Sequence, residues 1–165
     1  MRKLLLLDVD GVMTDGTKIY SPNGYVSGKR FCDRDFTAIK KFKMENWFVI
    51  WLSGDTVVNK TVAANREIEF WSAFVEDKID KIAVFNNIIM QYNISVNNVI
   101  YVGDDLFDIP LMQVINDGGG MTFCPADAAK HVKNVAKHTT LAGGGSGVIM
   151  EILDFYGLDN VSPCS

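Results

Sequence analysis

Cysteine, histidine, long apolar runs and any excess of basic charge are all missing or scarce in this chain, and each shortage excludes something. Cys32, Cys124 and Cys164 are the only cysteines in 165 residues, odd in number and with no C-x-x-C pair. That argues against a disulfide framework or a structural zinc site, and reduced thiols in a cytoplasmic setting fit best. His131 and His138 lack any paired spacing and read as surface or loop residues rather than ligands. The opening run of four leucines is ended by Asp8 and Asp10, too soon for a signal-peptide core or a membrane span. Sixteen basic against twenty acidic residues leave a net charge of -4, which offers no general attraction to nucleic acid or to an anionic membrane. An anionic ligand must therefore be held by a local site.

What is present suits one folded domain over residues 1–165: 48% of residues are hydrophobic and 22% charged, and no repeat, low-complexity tract or long linker appears. Residues 3–9 form a short apolar strand candidate running into a Gly-containing turn. Residues 17–21 and 25–31 flank Pro22-Asn23-Gly24, so a β-hairpin is expected there. A helix from Asp33, a buried strand over 47–52, another helical stretch and a strand over 70–75 follow. Ile79, Ile82, Phe85, Ile89 and Tyr92 recur at helical spacing. Strands over 99–102 and 121–124, a short helix over 110–115 and a last helix over 147–156 complete the pattern. Trp47, Trp51 and Trp71 are expected in core packing, and Lys40, Lys41 and Lys43 on a solvated helix face. Alternating strands and helices predict an α/β fold, with a parallel sheet sandwiched by helices and ligands beyond the carboxyl ends of the strands.

The polar clusters fall at those ends. Asp8-Val9-Asp10-Gly11 follows the first strand, Ser53-Gly54 the second and Asp104-Asp105 the fourth, while Lys81 lies in the first turns of the helix after the third. One crevice would then hold three carboxylates, a hydroxyl and an ammonium. Each alone has a plainer explanation. Aspartates after strands serve turns, Ser53 reads as a turn or cap residue, and Asp108 before Ile109-Pro110 fits a helix cap as well as site support. Lys78, placed one turn before Lys81 on a similar helix face, competes with it. Together they say more, because acids gathered without a cation repel one another. Few hard oxygen ligands suit Mg²⁺. With it the set can perform phosphoryl transfer, one carboxylate attacking phosphorus, a second moving protons, the hydroxyl and backbone N–H groups holding phosphoryl oxygens and the lysine offsetting charge.

D-x-D-G-V-x-T-D-G over residues 8–16, Ser53, Lys81 and G-D-D-x-x-D over 103–108 resemble the haloacid dehalogenase superfamily. More narrowly the chain is similar to its capless phosphatases of 3-deoxy-manno-octulosonate 8-phosphate and related nonulosonate 9-phosphates, nearly throughout its length. The resemblance implies a Rossmann-like fold with a hairpin insertion at about 17–31 and no large cap. It implies Asp8 as nucleophile and metal ligand, and Asp10 as general acid/base with its backbone carbonyl on the metal. Ser53 and Gly54 would bind phosphate, Arg34 would contact substrate, Lys81 would steady phosphate and Asp8, Asp104 would ligate Mg²⁺, and Asp105 and Asp108 would support the site. The aspartate at position 10 favours a phosphatase over a dehalogenase.

A small sugar-acid phosphate is the expected substrate, and a homotetramer that closes the site with the hairpin is the expected assembly. Two other readings stand beside this. One is a weakly catalytic or non-catalytic partner domain in sugar-acid cytidylyltransferase pathways, against which the intact acids argue. The other is a phosphotransferase between two sugars. Two departures from the octulosonate phosphatases bear on substrate. Gly145-Ser146 stands where they carry an Arg, and Phe36-Thr37-Ala38 replaces glycine-rich sequence and is expected to add bulk near the site.

Overall fold

The computed structural model describes residues 2–160, so Cys164 lies outside the described residues. In chain order the elements are β1 (Leu4–Leu7), β2 (Ile19–Tyr20), β3 (Val26–Gly28), α1 (Asp33–Met44), β4 (Phe48–Ser53), α2 (Val58–Asn65), β5 (Glu69–Ser72), β6 (Phe74–Val75), β7 (Lys78–Ile79), α3 (Lys81–Tyr92), β8 (Val99–Val102), α4 (Ile109–Asp117), β9 (Met121–Cys124), α5 (Lys130–Val135), β10 (His138–Thr139) and α6 (Val148–Phe155). Six strands form one sheet in the order β10-β9-β8-β1-β4-β5, every neighbouring pair parallel. No helix among the described residues is long and apolar enough to cross a membrane.

A central parallel strand is covered on both faces and so carries apolar residues without alternation. β1 is that strand: all four leucines are fully buried. Leu5 and Leu7 enter a core with Phe36, Phe42, Trp51 and Ile152, between the sheet and α1 and α6. Leu4 and Leu6 enter the opposite core, with Ile50, Phe85, Ile88 and Leu111 beneath α3 and α4. Leu7 pairs with Trp51 on one side and with Val102 on the other. This register brings the chain after β1, β4 and β8 to one edge, where Asp8, Ser53 and Asp104 emerge.

Two short antiparallel hairpins stand outside the sheet. β2 and β3 are shorter than the strands expected from 17–21 and 25–31, and they leave Ile19, Tyr20 and Tyr25 largely exposed. The second hairpin, β6–β7, corrects two expectations. Residues 70–75 are not one strand: β5 ends at Ser72, and Phe74 begins the hairpin. Ile79 and Lys78 belong to β7, not to the helix, which starts at Lys81 behind an Asp80 cap that accepts from the Ala83 N–H at 2.9 Å. α5 and β10 were not anticipated; His138 lies in β10, stacked on Phe123 with ring centroids 5.2 Å apart.

Phe36-Thr37-Ala38 does not crowd the site. Phe36 and Ala38 are buried in the core under α1, with Phe36 packed against Phe31 and Trp51. Asp35, fully buried beside them, accepts from the N–H groups of Gly147, Ile149 and Met150 and thereby tethers α1 to the start of α6.

Candidate active site

Asp8 leaves β1 buried, with its carboxylate held from two sides. Oδ1 accepts from the Val9 N–H at 2.7 Å, and Oδ2 lies 3.0 Å from Lys81 Nζ. Lys81 also meets Asp108 Oδ1 at 2.5 Å. Asp108 is fully buried and spends its remaining capacity on the Tyr101 hydroxyl and on the N–H groups of Asp104 and Asp105. It makes no side-chain cap to α4, so its carboxylate orders the turn after β8 and anchors Lys81. Asp105 is exposed and caps the single 3-10 turn that follows, accepting from the Leu106 N–H at 2.7 Å.

Carboxylate oxygens of Asp8, Asp104 and Asp108 all lie within 4.8 Å of one another. Asp104 Oδ1 is buried without a hydrogen-bond partner among the described residues. Burial, and then the charge of Asp108, raises Asp8 from 3.8 to about 7 despite Lys81. Burial, and then Asp8 and Asp108, raises Asp104 from 3.8 to about 8. Burial also opposes the charges of Lys81 and Asp108, yet ion pairing prevails: Asp8 and then Asp108 raise the ammonium, and Lys81 lowers the Asp108 carboxyl. One lysine therefore leaves the three acids undercompensated. An orphaned buried oxygen beside a second strained carboxylate is the donor set a hard divalent cation fits. Gly11 is shaped to the same purpose: its φ is +84°, and a Cβ there would come within 1.9 Å of Asp104 Oδ2.

Asp10 is treated differently. Its Oδ1 receives Lys29 Nζ at 2.7 Å, and its Oδ2 receives Asn59 Nδ2 at 3.2 Å. Ser53, buried at the end of β4, has an Oγ that accepts from Asn59 Nδ2 at 2.9 Å and from the Asp55 N–H at 3.2 Å. With both acceptor positions filled, its own O–H is left to donate. Burial works against the Asp55 charge, but the Lys29 hydrogen bond and N–H groups of the following turn hold that carboxyl below its ordinary value. Lys29, Asn59, Asp55 and Tyr101 were not recognised as site residues from sequence: Tyr101 sits inside the strand expected over 99–102, where it reads as core, and no motif marks the other three.

A cavity of about 760 Å³ opens over these groups, with Asp8, Asp10, Ser53, Gly54, Lys81 and Asp104 on its surface. Tyr25, Val26, Val57, Phe74 and Phe107 give it apolar walls. Arg34 is not among its lining residues; the exposed guanidinium donates to the Ser146 carbonyl at 3.4 Å. Lys78, the competitor of Lys81, is exposed in β7. The turn Gly143-Gly144-Gly145, ahead of α6, packs on the loop after β1: a Cβ on Gly144 would lie 2.1 Å from the Gly11 carbonyl oxygen.

The fold and this acid-rich crevice define a Rossmann-like α/β hydrolase. A sequence model of the haloacid dehalogenase-like hydrolases matches residues 32–152. The 3-deoxy-D-manno-octulosonate 8-phosphate phosphatase KdsC of Haemophilus influenzae is 32% identical over 153 residues, covering 92% of this chain and 81% of that one. The cobalt-bound form of the Haemophilus influenzae deoxy-D-mannose-octulosonate 8-phosphate phosphatase superposes with a TM-score of 0.82 at 31% identity, over 93% of this chain and 86% of that one. The 3-deoxy-D-manno-octulosonate 8-phosphate phosphatase of Yersinia pestis gives 0.81 at 27% identity, over 93% and 79%. The chain belongs to the haloacid dehalogenase-like hydrolases. Within them it is an enzyme of the phosphatase type, similar to the octulosonate 8-phosphate phosphatases.

Proposed function

We propose that the protein is a Mg²⁺-dependent phosphomonoesterase acting on a small sugar-acid phosphate, of the octulosonate 8-phosphate or nonulosonate 9-phosphate kind, through a phosphoaspartyl intermediate on Asp8. The observation that carries this reading is the Asp8 carboxylate set between Lys81 and the unpartnered Asp104 oxygen, with Asp10 on the surface of the same cavity. Asp8, Asp104 and the Asp10 backbone carbonyl would hold Mg²⁺, which supplies positive charge for the phosphoryl oxygens.

Asp8 attacks phosphorus, forming an acyl phosphate as the bond from phosphorus to the sugar oxygen breaks. Asp10 gives that oxygen its proton. In the second half Asp10 takes a proton from water as the water oxygen bonds to phosphorus, which releases Asp8 and inorganic phosphate. The O–H of Ser53 and the Gly54 amide hold phosphoryl oxygens, and Lys81 offsets their charge in a site where burial strengthens the interaction. Intact Asp8, Asp10, Lys81 and Asp104 favour this over a non-catalytic partner domain.

The exposed Ile19, Tyr20 and Tyr25 on a hairpin of two short strands support an assembly in which further copies cover that surface, and the homotetramer is the arrangement we propose. Reduced Cys32 and Cys124 suit a cytoplasmic enzyme. The test is phosphate release from a panel of sugar-acid and simple sugar phosphates, with and without chelator. Chelator-sensitive release, fastest with a sugar-acid phosphate, is expected. Full activity in excess chelator refutes the metal, and preference for a neutral sugar phosphate refutes the substrate class.

A further inference from the structure

We propose that Lys29 is a positioning residue for Asp10, an inference that rests on Asp10 as the proton-transferring group. Lys29 follows β3, and its side chain is 0% exposed. Its ammonium meets three acceptors: Asp10 Oδ1 at 2.7 Å, Asp55 Oδ2 at 2.5 Å and Asn59 Oδ1 at 2.9 Å. An ammonium has three donors, and here each has a partner. Asn59 in turn gives its Nδ2 to the other Asp10 oxygen, at 3.2 Å. Both oxygens of Asp10 are thus gripped, one by a charge and one by an amide, and the carboxylate cannot turn about its χ2 axis without losing a contact.

The plainer reading is a staple that fastens the β2–β3 hairpin to the body of the protein. A fully buried ammonium is a costly staple, since desolvation consumes much of what the ion pairs return, and apolar packing would serve as well. The partner set also points elsewhere. Both carboxylates that Lys29 contacts line the cavity, Asp10 beside Asp8 and Asp55 beyond Ser53-Gly54, and Asn59 links the same network to Ser53. A group that must deliver a proton to one oxygen and later take one from water gains from a fixed direction, because small misplacements are costly in rate.

The experiment compares phenyl phosphate, whose leaving oxygen needs the proton, with p-nitrophenyl phosphate, whose leaving oxygen scarcely does. kcat/KM is measured for wild type, Asp10→Asn, Lys29→Met and the double variant, each checked for folding by thermal melting. Lys29→Met is expected to lose roughly ten-fold or more on phenyl phosphate beyond its loss on p-nitrophenyl phosphate, part of the about 10²–10⁴ that proton transfer supplies. Added to Asp10→Asn it should cost little further, because residues acting as a unit are not additive. Lys29→Arg should recover part of the loss on phenyl phosphate. Should Lys29→Met not fold, Lys29→Gln, which removes the charge and ends one bond short of the ammonium but stays polar, carries the same comparison. Equal losses on both substrates, or a loss that multiplies onto Asp10→Asn, would show a staple and overturn the inference. If Asp10→Asn itself spares phenyl phosphate, the role of Asp10 fails, and the Lys29 inference falls with it for that separate and identifiable reason.

Discussion

Metal binding should be tied to pH more steeply than for an ordinary carboxylate site, because the acids that would receive the ion hold protons without it. Asp8 is raised to about 7 and Asp104 to about 8, each mainly by burial and then by neighbouring acids. For Asp8 alone, lifting the pKa from 3.8 to about 7 corresponds to on the order of 4 kcal/mol against the ionised form. An ion must displace these protons. At pH 8 only Asp104 is half protonated, whereas at pH 6 both groups are protonated almost completely. Apparent Mg²⁺ affinity should then fall by roughly 10²–10³ between pH 8 and pH 6, with one to two protons released per ion near pH 7. Isothermal titration in buffers of different ionisation enthalpy measures both quantities. Stability should change over a wider window. Folded-state values above the unfolded 3.8 make these groups favour folding while protonated; that contribution is whole below about 3.8, erodes as pH rises, and is gone once pH has passed about 7 for Asp8 and about 8 for Asp104. The metal-free protein should lose melting temperature from pH 5.5 to 8.5, and saturating Mg²⁺ should restore more of it at the alkaline end. Affinity that is flat between pH 6 and 8, with no proton release, would refute the undercompensated cluster.

Asp8→Asn should abolish turnover and phosphoenzyme formation. Asp10→Asn should lose about 10²–10⁴ in rate and accumulate the adduct with an aryl phosphate, locatable by mass spectrometry after acid quench; phosphate on Ser53 or Asp104 would overturn the mechanism. Lys81→Met should cost about 10²–10³ in kcat, while Lys78→Met, altering an exposed residue of β7, should leave kcat unchanged in the same assay. Asp35→Ala strands the N–H groups of Gly147, Ile149 and Met150 at the start of α6. It should lower unfolding free energy in urea by about 2–4 kcal/mol, and a change below about 0.5 kcal/mol, the scatter of ordinary surface substitutions, would contradict the tether.

The sheet was legible because its strands carry their own signal. Four consecutive leucines ended by Asp8 can hardly be anything but a buried strand, and the polar residues after β1, β4 and β8 had to meet once those strands were parallel and in register. The second hairpin was not legible. Its turn is made by Glu76 and Asp77, both at positive φ, with no glycine or asparagine to announce it. Ile79 also happens to fall three residues before Ile82, which extends the helical period of α3 backwards into β7. The Asp80 cap was the available correction, since an aspartate just ahead of an apolar-periodic run marks a helix start. That boundary decides between the two lysines, placing Lys81 in the first turn of α3 and Lys78 on the exposed hairpin.

The same topology explains why the anions of this site were easier to find than its cations. Asp8, Asp10 and Asp104 follow sheet strands, whose hydrophobic periodicity points straight at them. Lys29 comes directly after β3 and Lys81 just after β7, so both cations are delivered by hairpins: the first was announced by Pro22-Asn23-Gly24, but nothing in its short strands singled out Lys29, and the second left no pattern. The hairpins also supply Tyr25 and Val26, and Phe74 and Ile79, to the cavity surface. Charge balance at the acids and the apolar shape around the substrate are therefore set by the same two insertions. A substitution that reshapes either hairpin to admit a different sugar must keep its lysine in place, or it changes the chemistry together with the specificity.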